Sequence, residues 1–170
     1  MAWARCYGRI QEQPIEVLLL VNKIRSKLLF NEAFAHLVGR LGDHWDRQNE
    51  LPPEVLGLVL DERHLLARYR ADVGREAATF AATHKPFASR SEIGQLASLF
   101  RRYGKCGYAR TMYKGIENIV SRKKGYKGSK LMEGLGFLLR DELRIQDITY
   151  SHLTCAQLGD LYPWDDAEDW

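Results

Sequence analysis

SRSEIGQLASLFRRYGKCGYARTMYKGIENIVSRKKGYKGSK, Ser89 to Lys130, fixes both the architecture and the chemistry expected of this chain. Ser89 with Glu92 three residues on is a capping box, and Ile93, Leu96, Leu99, Phe100 and Tyr103 follow at helical spacing. The GKCG of Gly104 to Gly107 interrupts that helix. A second is expected from about Tyr108 to Arg122, with Met112, Ile116, Ile119 and Val120 facing inward. So short a connection makes the two an antiparallel helical pair. The loop KKGYKG then rises into solvent, and Ser129 caps a further helix carrying Leu131, Leu135, Leu138, Leu139 and Leu143, in which Gly134 and Gly136 permit close packing.

The C-terminal thirty residues of the same stretch carry an unusual charge. Between Arg101 and Lys130 there are ten Lys or Arg and one acid, Glu117, a net of +9 in a chain of net +3. Residues 131–170 hold two bases against nine acids, and residues 1–100 are nearly balanced. Four tyrosines and five glycines are interleaved with the central bases, a mixture that lets backbone approach a polyanion while rings stack on unpaired bases. Tyr103, Tyr108 and Tyr113 also suit an inward stripe with their hydroxyls at the surface, whereas Tyr126, in the loop, has no stripe to join.

Towards the N-terminus the organisation stays helical. Pro14 suits a helix start, and Val17, Leu20, Val21, Ile24 and Leu28 recur at helical spacing; Leu18 and Leu19 widen the stripe towards a largely buried element. Asn31 is a candidate cap or kink before Phe34, Leu37, Val38, Leu41 and Trp45. Pro52 and Pro53 stop that helix and open a region with Val55, Leu56, Val59 and Leu60. Asp61 is expected to cap a separate, longer helix to about Thr83, whose Arg63, Arg68, Arg70 and Arg75 are balanced by Asp61, Glu62, Asp72 and Glu76. His84, Lys85 and Pro86 form a break. Beyond the last long helix, Thr154 and Gln157 suggest a capping box for a short helix, and the end, YPWDDAEDW, is irregular and acidic.

The fold expected is therefore all-α, a bundle of about five to seven helices. It divides at the break into an N-terminal lobe, 1–84, and a basic C-terminal lobe with an acidic tail, 85–170, or forms a single domain. No apolar run approaches the ~18 residues needed to span a bilayer. No secretory leader is evident, and three well-separated cysteines, Cys6, Cys106 and Cys155, make a disulfide framework improbable; a cytoplasmic protein is expected.

Catalysis is weakly encoded. His44 lies beside Asp43 and near Asp46, and His64 follows Asp61 and Glu62, but neither spacing is that of a metal or acid-base site, and no phosphate-cradling Gly-rich loop follows a strand. No catalytic residue, metal or cofactor is expected. The candidate nucleic-acid contacts are Arg101, Arg102, Lys105, Arg110, Lys114, Arg122, Lys123, Lys124, Tyr126, Lys127 and Lys130, a ridge able to follow the backbone of single-stranded DNA or RNA without reading bases. Trp164 and Trp170, in the acidic tail, are candidate partner contacts, with other protein subunits or further copies of the chain as partners. At the level of architecture alone the chain resembles the small helical subunits of multi-subunit CRISPR effector complexes, which implies a non-catalytic subunit lining a nucleic-acid path. The alternative is a protein-binding inhibitor or adaptor acting through the acidic tail.

Overall fold

The computed structural model describes residues 8–40, 45–83, 90–103, 109–122, 128–140, 143, 152–156, 158 and 162–164. These form an all-α bundle: α1 (Pro14–Ile24), α2 (Lys27–Arg40), a 3-10 helix (Trp45–Glu50), α3 (Pro53–Thr83), α4 (Arg90–Tyr103), α5 (Ala109–Val120) and α6 (Lys130–Leu139). No strand occurs among the described residues.

Pro14 occupies the first turn of α1, where its missing N–H costs nothing. The helix ends at Arg25, which takes the left-handed conformation (φ 50°) and returns its backbone N–H to the Val21 carbonyl. The break between the first two helices thus falls at Arg25 and Ser26, not at Asn31. Asn31 lies inside α2 and donates its side-chain amide to the Tyr162 hydroxyl at 3.0 Å. The buried stripe of α1 also differs from the expected one: Ile15, Leu18 and Val21 face inward, while Leu20 and Ile24 are 59% and 57% exposed. A helix apolar on most sides does not reveal from periodicity alone which side its neighbour will take.

That neighbour is α2, the central helix, which buries Phe30 and every residue from Glu32 to Val38. Leu51 is buried after the 3-10 turn, and Pro53 opens α3. At 31 residues, α3 is about 46 Å long. It runs through Asp61 without a break, because Val55, Val59, Leu66, Val73, Ala77 and Phe80 make one continuous buried stripe on either side of that residue. With α2 packed on it at one place and α6 at another, α3 is the spine of the bundle. Further packing joins α6 to α5 and α5 to α4, and the buried apolar residues of all these helices belong to one cluster.

The expected cap of the last helix is present: the Ser129 hydroxyl accepts from the Met132 backbone N–H at 3.3 Å, and Leu131, Leu135 and Leu138 face inward. Ser89, the expected cap of α4, lies outside the described residues. Thr154 does not start a helix. Residues 152–156 are irregular and fully buried, and the Thr154 hydroxyl accepts from Arg110 at 2.9 Å instead of capping a helix N-terminus.

This buried segment lies along α2. The close approach occurs at Gly39, where any Cβ would overlap the Leu153 carbonyl oxygen, so only glycine lets the two backbones meet. Farther down α2, His152 meets His36, Tyr162 meets Asn31, and the Trp164 ring stands edge-on to Phe30 at 5.1 Å. The C-terminal segment therefore runs antiparallel to the central helix.

Candidate nucleic-acid interface

Helices α4 and α5 pack as the expected pair. Gly115 permits their close approach, since a Cβ there would come within 2.7 Å of Leu99 Cδ1. Helix α5 divides sharply: Ala109, Met112, Tyr113, Ile116, Ile119 and Val120 are buried, while Thr111, Lys114 and Asn118, with Ser121 and Arg122 in the turn that follows it, are exposed. This exposed set contains two cations and three hydrogen-bonding neutral residues and no carboxylate; Glu117 stands beside it, half-buried. Arg101 and Arg102 are exposed at the end of α4 next to the start of α5. A helix of 12 residues is about 18 Å long, so cations border the whole length of α5, at its start, middle and end.

Other members of the expected ridge are placed differently. Arg110 is half-buried, its guanidinium on Thr154, so it ties α5 to the C-terminal segment. Lys130 is exposed at the start of α6, beside a groove of about 470 Å³ between α3 and α6 whose walls include Asp72, Glu76 and Glu133. With three carboxylates against two cations, Arg75 and Lys130, that groove is a poorer seat for phosphate than a wholly basic one. Lys105, Lys123, Lys124, Tyr126, Lys127 and Trp170 lie outside the described residues. Trp164 packs on the chain's own Phe30 and Tyr162, with the Lys27 ammonium 5.0 Å from the Tyr162 ring centre.

Of the tyrosines in the basic stretch, Tyr108 and Tyr126 lie outside the described residues. Tyr113 is buried, its hydroxyl 3.4 Å from the Arg70 Nε donor, and burial pushes its phenol above the ordinary value despite the opposing effect of Arg70. Two arginines in the N-terminal half are paired: Arg75 with Asp72 at 2.6 Å, and Arg47 with both Glu50 oxygens at 2.8 Å and with Glu16 at 3.6 Å. Those hydrogen bonds hold the Glu50 carboxyl below its ordinary range. The mixed surface expected for α3 is present, and the unbalanced one belongs to α5.

A buried polar cluster has no counterpart in the sequence reading. Glu32, His36, His152 and Thr154 are all at least 97% buried, and His36 Nδ1 lies 2.9 Å from His152 Nε2. Glu32 and His36, four apart inside an apolar run, were the available signal; nothing local announces His152 as the partner. His64 is exposed on α3, and no group of three or more His, Cys, Asp or Glu suited to a metal occurs among the described residues. No helix among them is long and apolar enough to cross a membrane. Comparisons with protein-family models, curated proteins and solved structures found no match.

Proposed function

We propose that the protein binds the phosphate backbone of nucleic acid, single-stranded in preference to duplex, through the exposed face of α5 and the end of α4, as a non-catalytic subunit of a larger assembly. The observation that carries this reading is the exposed set of Thr111, Lys114, Asn118, Ser121 and Arg122 on α5 and the turn that follows it, cations and neutral donors with no carboxylate among them. Such a surface gains affinity by releasing counterions from the polyanion. Arg101 and Arg102 extend it at one end.

Membership of an assembly is supported by a separate feature. Leu20 and Ile24, one turn apart on α1, are 59% and 57% exposed and line an apolar groove with Val17 and Leu29, a surface of the kind that protein partners cover. The small helical subunits of CRISPR effector complexes remain the architectural example of such a protein.

The test compares two doubly substituted chains of equal net charge for binding to a labelled oligothymidylate. Lys114→Gln with Arg122→Gln is expected to weaken binding by about tenfold or more, and Arg68→Gln with Arg75→Gln, on the mixed face of α3, to leave it near native. Equal losses in both would show that net charge alone is sensed, and would remove α5 as the site.

A further inference from the structure

We propose that residues 152–156 are a strap latched by the His36–His152 hydrogen bond, and that acid opens the latch while the helices stay folded. The segment joins two helices that belong to different halves of the chain. Leu153 lies on Gly39 of α2, His152 bonds to His36 of the same helix, and Thr154 accepts from Arg110 of α5. Leu153, Cys155 and Ala156 complete a buried insert without helical or strand hydrogen bonds of its own. Among the bonds that hold it, the His36–His152 bond is titratable.

The latch reads protons through simple stoichiometry. Two facing imidazole nitrogens at 2.9 Å need one N–H and one lone pair between them. A neutral pair meets that condition, and so does a singly protonated one, because the extra proton can sit on an outer nitrogen of the donor ring. A second proton puts N–H on both facing nitrogens, with like charges in contact and away from water. The bond cannot survive that state.

The surrounding charges set which proton is tolerated. Glu32 stands one turn before His36 and is equally buried. Arg40, one turn after, is directed to the Gln11 carbonyl, and Arg110 enters from α5 through Thr154; both oppose the second. The Tyr113 phenol of α5, with Arg70 of α3 on it, and the Cys155 thiol of the strap are neutral across the acid range. Uptake of the second proton releases the strap, Arg110 with it.

Cys155, buried in the strap, reports the opening directly. With Cys6→Ser and Cys106→Ser in place, its reaction with a dipyridyl disulfide is followed between pH 7.5 and 4.5, each rate divided by that of the urea-unfolded chain at the same pH. Far-UV circular dichroism is recorded in parallel. The expected result is strong protection at pH 7.5 that falls by up to about tenfold per pH unit in the acid range while the helical signal persists. His36→Gln and His152→Gln, each keeping a polar partner, are expected to flatten that dependence. Protection that is constant with pH, or that is lost only together with the helical signal, overturns the proposal, as does a native pH dependence in both variants. Should the variants not fold, imidazole proton resonances of the native chain decide: His36 and His152 must titrate at the midpoint of thiol exposure, and a different midpoint overturns the latch.

Discussion

His36 Nδ1 and His152 Nε2 meet at 2.9 Å across 116 residues of sequence, both side chains almost fully buried. A buried hydrogen bond of this kind is worth little net but is costly to break on one side, because the orphaned nitrogen keeps its desolvation penalty. His152→Ala is accordingly expected to lower stability by roughly 1–3 kcal/mol in urea unfolding at pH 7.5, beyond what the lost ring volume explains. The double variant His36→Leu with His152→Leu should cost less than the sum of the two single Leu changes. Additive losses would mean the rings are not coupled.

Gly39 and Gly74 make a matched pair on two helices. A methyl at Gly39 overlaps the Leu153 carbonyl, whereas nothing lies within 4 Å of one at Gly74. Gly74→Ala should stabilise the protein by about 0.5–1 kcal/mol through helix propensity. Gly39→Ala should destabilise it by about 2 kcal/mol or more by displacing the strap. Thermal unfolding of the two variants should therefore shift in opposite directions from native; a rise in both would place the strap elsewhere.

How far these features could be read in advance follows from the range of the interactions. The paired helices α4 and α5, the Ser129 cap and the inward residues of α5 and α6 were legible, because capping and a sharply amphipathic stripe are local properties. The burial of Leu18 in preference to Leu20 was not, since both lie in an apolar run and only the placement of α2 distinguishes them. Asp61 looked like a cap because an acid after an apolar run is a common helix start; the stripe that carries α3 through it becomes decisive only over its whole length. Arg110 read as one cation among ten, and its inward turn depends on Thr154, 44 residues away. The histidine pair is the extreme case, in which each half looks like an ordinary residue.

Tyr113 supplies a prediction at alkaline pH. Its phenol is pushed up chiefly by burial, so the neutral form is favoured in the folded chain. The stability this contributes is fully present below the unfolded value, about 10, and is lost as pH rises through the folded value. Native stability should thus fall from about pH 10 upward, and Tyr113→Phe should remove that part of the decline. Identical pH profiles above 9.5 for the two chains would contradict the assignment.

Trp164 separates packing from polarity. Its ring stands edge-on to Phe30, but its indole N–H is buried without a partner among the described residues. Trp164→Phe keeps an aromatic ring in place and removes the unsatisfied donor, so it should cost under about 1 kcal/mol. Trp164→Ala should cost about 1–3 kcal/mol, less than for a fully buried tryptophan, because the residue is only partly buried. Equal losses in urea unfolding would indicate that the indole N–H has an acceptor.

The central claim, a phosphate-binding face on α5, is tested most directly by the salt dependence of oligothymidylate binding measured by fluorescence anisotropy from 25 to 300 mM salt. The native chain is expected to show affinity falling linearly on a log-log scale, with the slope reduced by about 0.7 for each contact removed in Lys114→Gln and again in Arg122→Gln. Absence of binding at the lowest salt, or an unchanged slope in both variants, would contradict the account and turn attention to a protein partner.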